Sequence, residues 1–208
     1  PATVEKWDPE EFRRSHSVRA SSSFEDLARE LRYDFLAKVS RTTSATAVAV
    51  GHTADDQAET VLLHILRGAG LHGIAGMAEL SPWPWPEKCE GILLFRPLLK
   101  AGEYDTLDYC RKFGIETRED SGNSLLRFTR VRVRRQLMPE LAVGYNPRIR
   151  DALGRLARTA ALELDYFDWE GSRVWGNLAR TDGRAGPLHL PVLDQLHPAL
   201  HEQMVRSA

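Results

Sequence analysis

The sequence predicts an α/β fold built on a parallel sheet and continued by a helical appendage. Three consecutive stretches carry that expectation: the amphipathic "SSSFEDLARELRYDFLAKVSR", the short apolar run "ATAVAV", and the helical "ADDQAETVLLHILRG". Helix, buried strand and helix of these lengths are the working parts of a parallel sheet covered by helices.

Taken in order, "ATVEKW" reads as a short strand with no preceding element to pair it. The first helix opens on a serine signal and places Phe24, Leu27, Leu31, Phe35, Leu36 and Val39 at helical spacing. Ala45–Val50 follows as a buried strand, and Val61–Leu66 lies in the next helix. "LSPWPWPEKCEG" holds three prolines and reads as a surface loop. "ILLFRPLL" returns as a strand ended by Pro97, and "GEYDTLDYCRKFG" as a helix stopped by Gly114. The chain turns at "EDSGNS" and enters an arginine-rich run. Beyond it Ile149, Leu153, Leu156, Ala160, Leu164 and Phe167 keep a helical period. From Gly171 the pattern weakens into a turn, an extended piece and a closing helix. The boundary falls near 145–150, giving a 1–145 α/β domain and a 146–208 helical linker or appendage.

A chain of 208 residues can bury a sizeable core without staples. Cys89 and Cys110 form no CxxC pair and match no zinc spacing, so the expectation is ordinary thiols, no metal site and a cytoplasmic protein. No apolar run approaches the roughly 20 residues of a membrane span, and the opening residues lack a signal-peptide core. The net charge of −1 argues against a generic nucleic-acid binder. Between Asn123 and Arg158, however, nine arginines stand against two acids, a local excess suited to a polyanion. The plainer alternative is a solvated, salt-bridged helix face.

In parallel sheets ligands sit beyond the carboxyl ends of strands, where helix N-termini present free N–H groups. "GHTADDQAET" falls there, directly after Val50. Local structure accounts for part of it. Thr53 and Asp56 form a capping-box pair, acids in a first turn oppose the helix dipole, and a lone His is often structural. A cap needs one acid, and this helix has Asp55, Asp56 and Glu59. Asp56 and Glu59, three apart, share a face and can jointly hold a cation or an ammonium group. Arg67 with "GAG" ends the same helix in a close-approach turn.

Four ordered stretches, "LARELRYDFL", "GHTADDQAETVLLHILRGAGLHGIAGM", "LLFRPLL" and "EDSGNSLLRFTRVRVRRQLMPEL", resemble the tRNA(Ile)-lysidine synthetase family of the PP-loop (N-type) ATP pyrophosphatase group. The resemblance implies an adenine nucleotide alpha hydrolase-like core, with residues 1–145 a partial catalytic domain. It implies a ligase that uses ATP and Mg²⁺ to adenylate C2 of the wobble cytidine of tRNA(Ile), after which free lysine displaces AMP. Its motifs place His52 on the first His of "HHxDDQxET", with Asp56 and Glu59 on the second Asp and the Glu. Arg32 falls on the Arg before Tyr in "ARxxRY", and Arg130 and Arg134 on the arginines of "RNxIR". Asp56, Glu59 and Arg32 are thereby expected on the lysine side of a catalytic pocket, and His52, Arg130 and Arg134 toward the nucleotide. Arg127, Arg132 and Arg135 are expected toward RNA. A homodimer is compatible with this reading, and no membrane partner is expected.

The family's "SGGxDS" loop has no counterpart upstream of Leu27, so residue 1 is expected to lie inside the native fold. Longer members continue past the point where "VRSA" stops. Thr53 replaces a second His, and Val131 replaces Asn. Two other readings stand beside the ligase. One is a tRNA cytidine thiolase of the same fold group, which usually carries paired cysteines. The other is a noncatalytic RNA-binding module, whose affinity would fall steeply with salt and ignore ATP and lysine.

Overall fold

A computed structural model describes residues 2–7, 24–85, 91–118, 128–182 and 197–200. The chain divides into two compact units, one of residues 1–59 and 77–147, the other of residues 60–76 and 148–208.

In the first unit a three-stranded sheet carries the architecture. Strand β1 (Ala47–Ala49) pairs in parallel with β3 (Leu93–Phe95), with Val48 opposite Leu94, and β2 (Leu80–Pro82) pairs antiparallel on the far side of β3. The parallel ladder runs past β1, because the Val50 amide donates to the Phe95 carbonyl at 2.9 Å. Helix α1 (Phe24–Thr43) lays Tyr33 and Ala37 against Leu94 and Trp83, with Val48, Val50, Trp85 and Ile92 around them. Tyr33 packs its ring at 5.4 Å from Trp83 and 5.2 Å from Trp85, within the range of favourable tilted aromatic pairs. Leu27 and Leu31 form a separate buried pair on the same helix.

Three sequence expectations change here, the first being that β1, expected as a buried strand, leaves Ala47 and Ala49 exposed and only Val48 partly covered. Residues 2–7 hold no strand, and Val4 is exposed: no described strand pairs with the segment, and an unpaired strand has no ladder to hold it. The proline-rich stretch is not wholly loop, since its first residues form β2 and Trp83 is buried. Pro82 is tolerated because β2 is an edge strand. Trp83 then supplies a core side chain from a stretch that proline content alone marked as surface.

Helix α2 (Ala54–Leu66) follows β1, and Gly68 after it adopts a left-handed φ of 72°, the conformation glycine supplies at a helix end. Helix α4 (Glu103–Lys112), which comes after the short α3 (Leu71–Ile74), stops at Gly114 with φ 64°, as expected. The arginine segment is helical in three pieces: α5 (Thr129–Arg132), a π-helical turn (Val133–Leu137) and α6 (Met138–Gly144). In the second unit α7 (Ile149–Asp182) is longer than its hydrophobic period announced, and α3 packs against it. It buries Leu153, Ala157 and Ala160, whereas Leu156 is 43% exposed. The "EDSGNS" turn and the residues after α7, apart from 197–200, lie outside the described residues.

Candidate active site

Four residues separate the N-terminus of α2 from the end of β1, and the polar residues there are dealt out to distinct tasks. Thr53 and Asp56 form a reciprocal cap: the Thr53 amide and hydroxyl donate to Asp56 Oδ2 at 2.9 and 3.1 Å, and the Asp56 amide reaches Thr53 Oγ1 at 3.4 Å. Asp55 leaves its own helix and accepts the Glu103 amide at 2.6 Å, so it caps α4 across 48 residues of sequence. Gln57 locks the following loop with two bonds to the Met77 backbone, donating to its carbonyl at 3.0 Å and accepting from its amide at 2.8 Å.

Asp56 and Glu59 do share a face, and the partners on that face are guanidinium groups. Arg130 donates from Nε to Glu59 Oε2 at 3.2 Å and from Nη2 to Asp56 Oδ1 at 3.1 Å. Arg134 donates from Nε to Glu59 Oε1 at 2.5 Å, and from Nη2 to Asp56 Oδ1 at 2.8 Å and Glu59 Oε2 at 3.0 Å. With Thr53 on Oδ2, all four carboxylate oxygens are engaged. Glu59 is 3% exposed, and its burial is tolerable because two forked cations cover it. The π-helical turn contains Arg134. Such turns widen the helix and are frequent at functional sites, and this one sits where two arginines four apart must reach the same pair of acids.

The electrostatics follow from these contacts. Burial alone would raise the Asp56 carboxyl, but the Thr53 amide, then Arg130 and Arg134, outweigh it and hold it below its ordinary value. The Glu59 hydrogen bond stabilises the Arg134 cation further. Burial pushes His52 below its ordinary value; Asp56 opposes that, while Arg96, Arg130 and Arg29 add to it. His52 is therefore neutral near pH 7, with a buried Nδ1 that meets no hydrogen-bonding group.

For both Asp56 and His52 the unfolded chain takes up protons at higher pH than the fold does. Their contributions to stability are full above the unfolded values, about 3.9 and 6.5, and are lost as pH falls through the folded ones. Melting temperatures of His52→Gln should accordingly vary less between pH 7 and pH 5 than those of the parent chain. Parallel profiles would remove His52 as a titrating group.

Two residues of this region escaped the sequence reading. Arg96, directly after β3, is buried; its Nη1 donates to the Ala78 carbonyl at 2.7 Å and to Ser81 Oγ at 3.1 Å. Arg29 lies over the Tyr33 ring at 5.4 Å and adds to the field at His52 and Arg96. The structure brings His52, Asp56, Glu59, Arg130 and Arg134 together and leaves Arg32 exposed on α1, outside the pairing. Arg132 and Arg135 are exposed on the arginine helix, and Arg127 lies outside the described residues. Among the described residues no group of three or more His, Cys, Asp or Glu could hold a metal ion. No helix there is long and apolar enough to cross a membrane.

A parallel pair of strands with a capped, charge-lined helix N-terminus at their carboxyl ends defines an α/β protein of the kind that binds its ligand at strand ends. More particularly, residues 4–141 match the PP-loop domain family, and the chain belongs to that family. It is similar to the tRNA(Ile)-lysidine synthase of Dehalococcoides mccartyi, at 34% identity over 89% of this chain and 39% of that protein. Similar matches are to the proteins of the same name from Salinispora tropica, at 36% over 76% of this chain and 46% of that one, and from Nocardia farcinica, at 34% over 91% and 54%. The chain thus spans about half the length of the curated relatives it matches. Among solved structures, the U34-tRNA thiolase NcsA of Methanococcus maripaludis, solved with its 4Fe-4S cluster, shares the fold. That likeness has a TM-score of 0.50 at 19% identity, over 69% of this chain and 46% of that one.

Proposed function

We propose that this site serves tRNA(Ile)-lysidine synthesis, a carbon–nitrogen ligation in which ATP, lysine and tRNA(Ile) are substrates. The observation that carries the reading is the carboxylate pair Asp56–Glu59, faced by two guanidinium groups, in a chain similar over most of its length to synthases from several bacteria. In this chemistry the C2 oxygen of the wobble cytidine attacks the α-phosphorus of ATP and pyrophosphate leaves. The lysine ε-amine then adds at C2, and AMP departs with the oxygen.

The chain's own groups suit the two charge problems of that sequence. An arriving ammonium finds a counter-ion in Asp56, kept ionised by its cap and its arginines. The amine must shed a proton before its lone pair can attack, and Glu59 can accept it once an arginine has moved off its carboxylate. Arg130 and Arg134 are the groups for nucleotide or RNA phosphate, which guanidinium forks bind bidentately. Arg132 and Arg135 extend that positive surface along the RNA. Neutral His52 offers its unpaired Nδ1 toward the nucleotide. Arg32, exposed and outside the pairing, suits a lysine role only through a contact made with substrate present. A magnesium ion would arrive on the nucleotide phosphates, since the acids here are already occupied.

The test is ATP-dependent attachment of labelled lysine to unmodified tRNA(Ile), run with this chain and with the protein extended to its relatives' length. Incorporation that needs both ATP and lysine supports the ligase. Salt-sensitive tRNA binding with no incorporation by the extended protein would instead favour an RNA-binding module.

A further inference from the structure

Helix α4 runs over ten residues without burying one of them. Most helical stability in proteins comes from packing an apolar face, so a short helix that buries nothing raises the question of what its rings are for. Its N-terminus is tied down: Asp105 accepts the Gly102 amide at 2.9 Å, and Asp55 of α2 accepts the Glu103 amide. Further along, Tyr109 and Phe113 stand 57% and 66% exposed, one turn apart. Their rings pack at 4.5 Å with a tilt of 37°, so each covers part of the other and leaves the rest to solvent.

The charges beside the rings identify what they meet. Residues 109–118 hold Arg111, Lys112 and Arg118 against the single acid Glu116, all of them exposed. Lys112 lies three residues after Tyr109 and one before Phe113, on their side of the helix. Its ion pair with Asp108, at 2.7 Å, is exposed on both partners, so it is worth little and leaves the ammonium free to turn. Asp105, four residues before Tyr109 on the same face, is engaged in the cap. Rings interleaved with cations suit a nucleic-acid base, which brings a π-face to stack and a phosphate beside it. A purely apolar protein segment would match the rings and leave the cations unanswered. The rings also stand close to the charged site. Asp55 joins α4 to α2 next to Asp56, and at 1.5 Å per residue Tyr109 lies about 9 Å along the helix from Glu103.

We propose that Tyr109 and Phe113 form a stacking platform for an unpaired RNA base, with Lys112 on the adjoining phosphate. The inference rests on the reading of the site as one that acts on RNA: the stacked base is a neighbour, in the same loop, of the cytidine that reacts. Sequence-specific RNA recognition targets loop bases of this kind, splayed out and stacked on aromatic side chains. The platform holds the loop beside the site and leaves the acids and arginines around α2 to the chemistry.

The test is binding of an RNA stem-loop carrying the anticodon loop of tRNA(Ile), with 2-aminopurine replacing its loop bases one at a time, to the protein extended to its relatives' length. Emission should change on binding at the position that stacks. Tyr109→Ala and Phe113→Ala should each remove that change and raise the dissociation constant about fivefold to a hundredfold. Tyr109→Phe keeps a ring and should bind as the parent does. Lys112→Ala should weaken binding of all loop sequences alike and lower the salt slope by about one. Because these side chains are exposed, melting temperatures should stay within a few degrees of the parent. No binding of the stem-loop, alanine variants with unchanged affinity and emission, or a Tyr109→Phe variant as weak as Tyr109→Ala overturns the proposal. So does a fall of more than about 5 °C with Tyr109→Ala, which would show the rings packed against another segment of the protein. Lysine attachment is read separately. A parent that stacks the base and attaches no lysine keeps the platform and removes the ligase, and one that ligates with indifferent rings does the reverse.

Discussion

Replacing Glu59 with Ala is expected to destabilise the protein by about 2–3 kcal/mol, which for a chain of this size lowers the melting temperature by roughly 5–10 °C. Removing one partner of a buried pair typically costs ~3–5 kcal/mol, because the remaining charge is stranded. Here two guanidiniums lose Glu59 together, but their side chains are 24% and 38% exposed and regain some water, which reduces the cost. Glu59→Gln keeps an acceptor oxygen and should fall between Ala and the parent. Thermal melts of the three proteins decide the matter. A loss under about 1 kcal/mol would place the cluster with ordinary surface ion pairs and remove its structural weight.

Asp56→Asn is expected to reduce lysine attachment on the order of tenfold to a hundredfold while changing tRNA affinity far less. The carboxylate faces cations, and truncating one partner of a hydrogen-bonded charge pair costs ~2–5 kcal/mol when buried, less at this half-buried position. Asparagine preserves the cap on Thr53 through its side-chain oxygen, so folding should survive. Initial rates of lysine incorporation at varied lysine, beside tRNA binding at fixed salt, separate the two effects. Equal losses in both would show that the acid holds the fold or the RNA, and its place on the amine side would fall. Arg130→Ala serves as the counterpart, with nucleotide or RNA engagement as the quantity expected to suffer.

The elements that were legible in the sequence are those whose signal is local. Apolar period marked α1, an apolar run marked β1, Pro97 closed β3 and Gly114 closed α4. The reciprocal cap of Thr53 and Asp56 was readable from a spacing of three residues, and so was the common face of Asp56 and Glu59. Their partners were not readable from spacing: Arg130 and Arg134 lie more than 70 residues away, and a π-helical turn includes Arg134. Resemblance put both arginines in the site but toward a different group. Asp55 looked like a third site acid because a sequence cannot say that a carboxylate will turn away to cap another helix. Arg29 and Arg32 are one turn apart on α1, and only the packing of Tyr33 shows that Arg29 contributes to the field at His52.

The full engagement of Asp56 and Glu59 has a thermodynamic consequence. On the proposed function, an ammonium that settles on the pair must displace a guanidinium from it. The released arginine then stands unneutralised at the mouth of the site, where a phosphate can take it. Each ligand would then favour the other, and by linkage the factor would be the same in both directions. On the proposed function, a seat filled in advance by the protein's own cation would make the two arrivals cooperative.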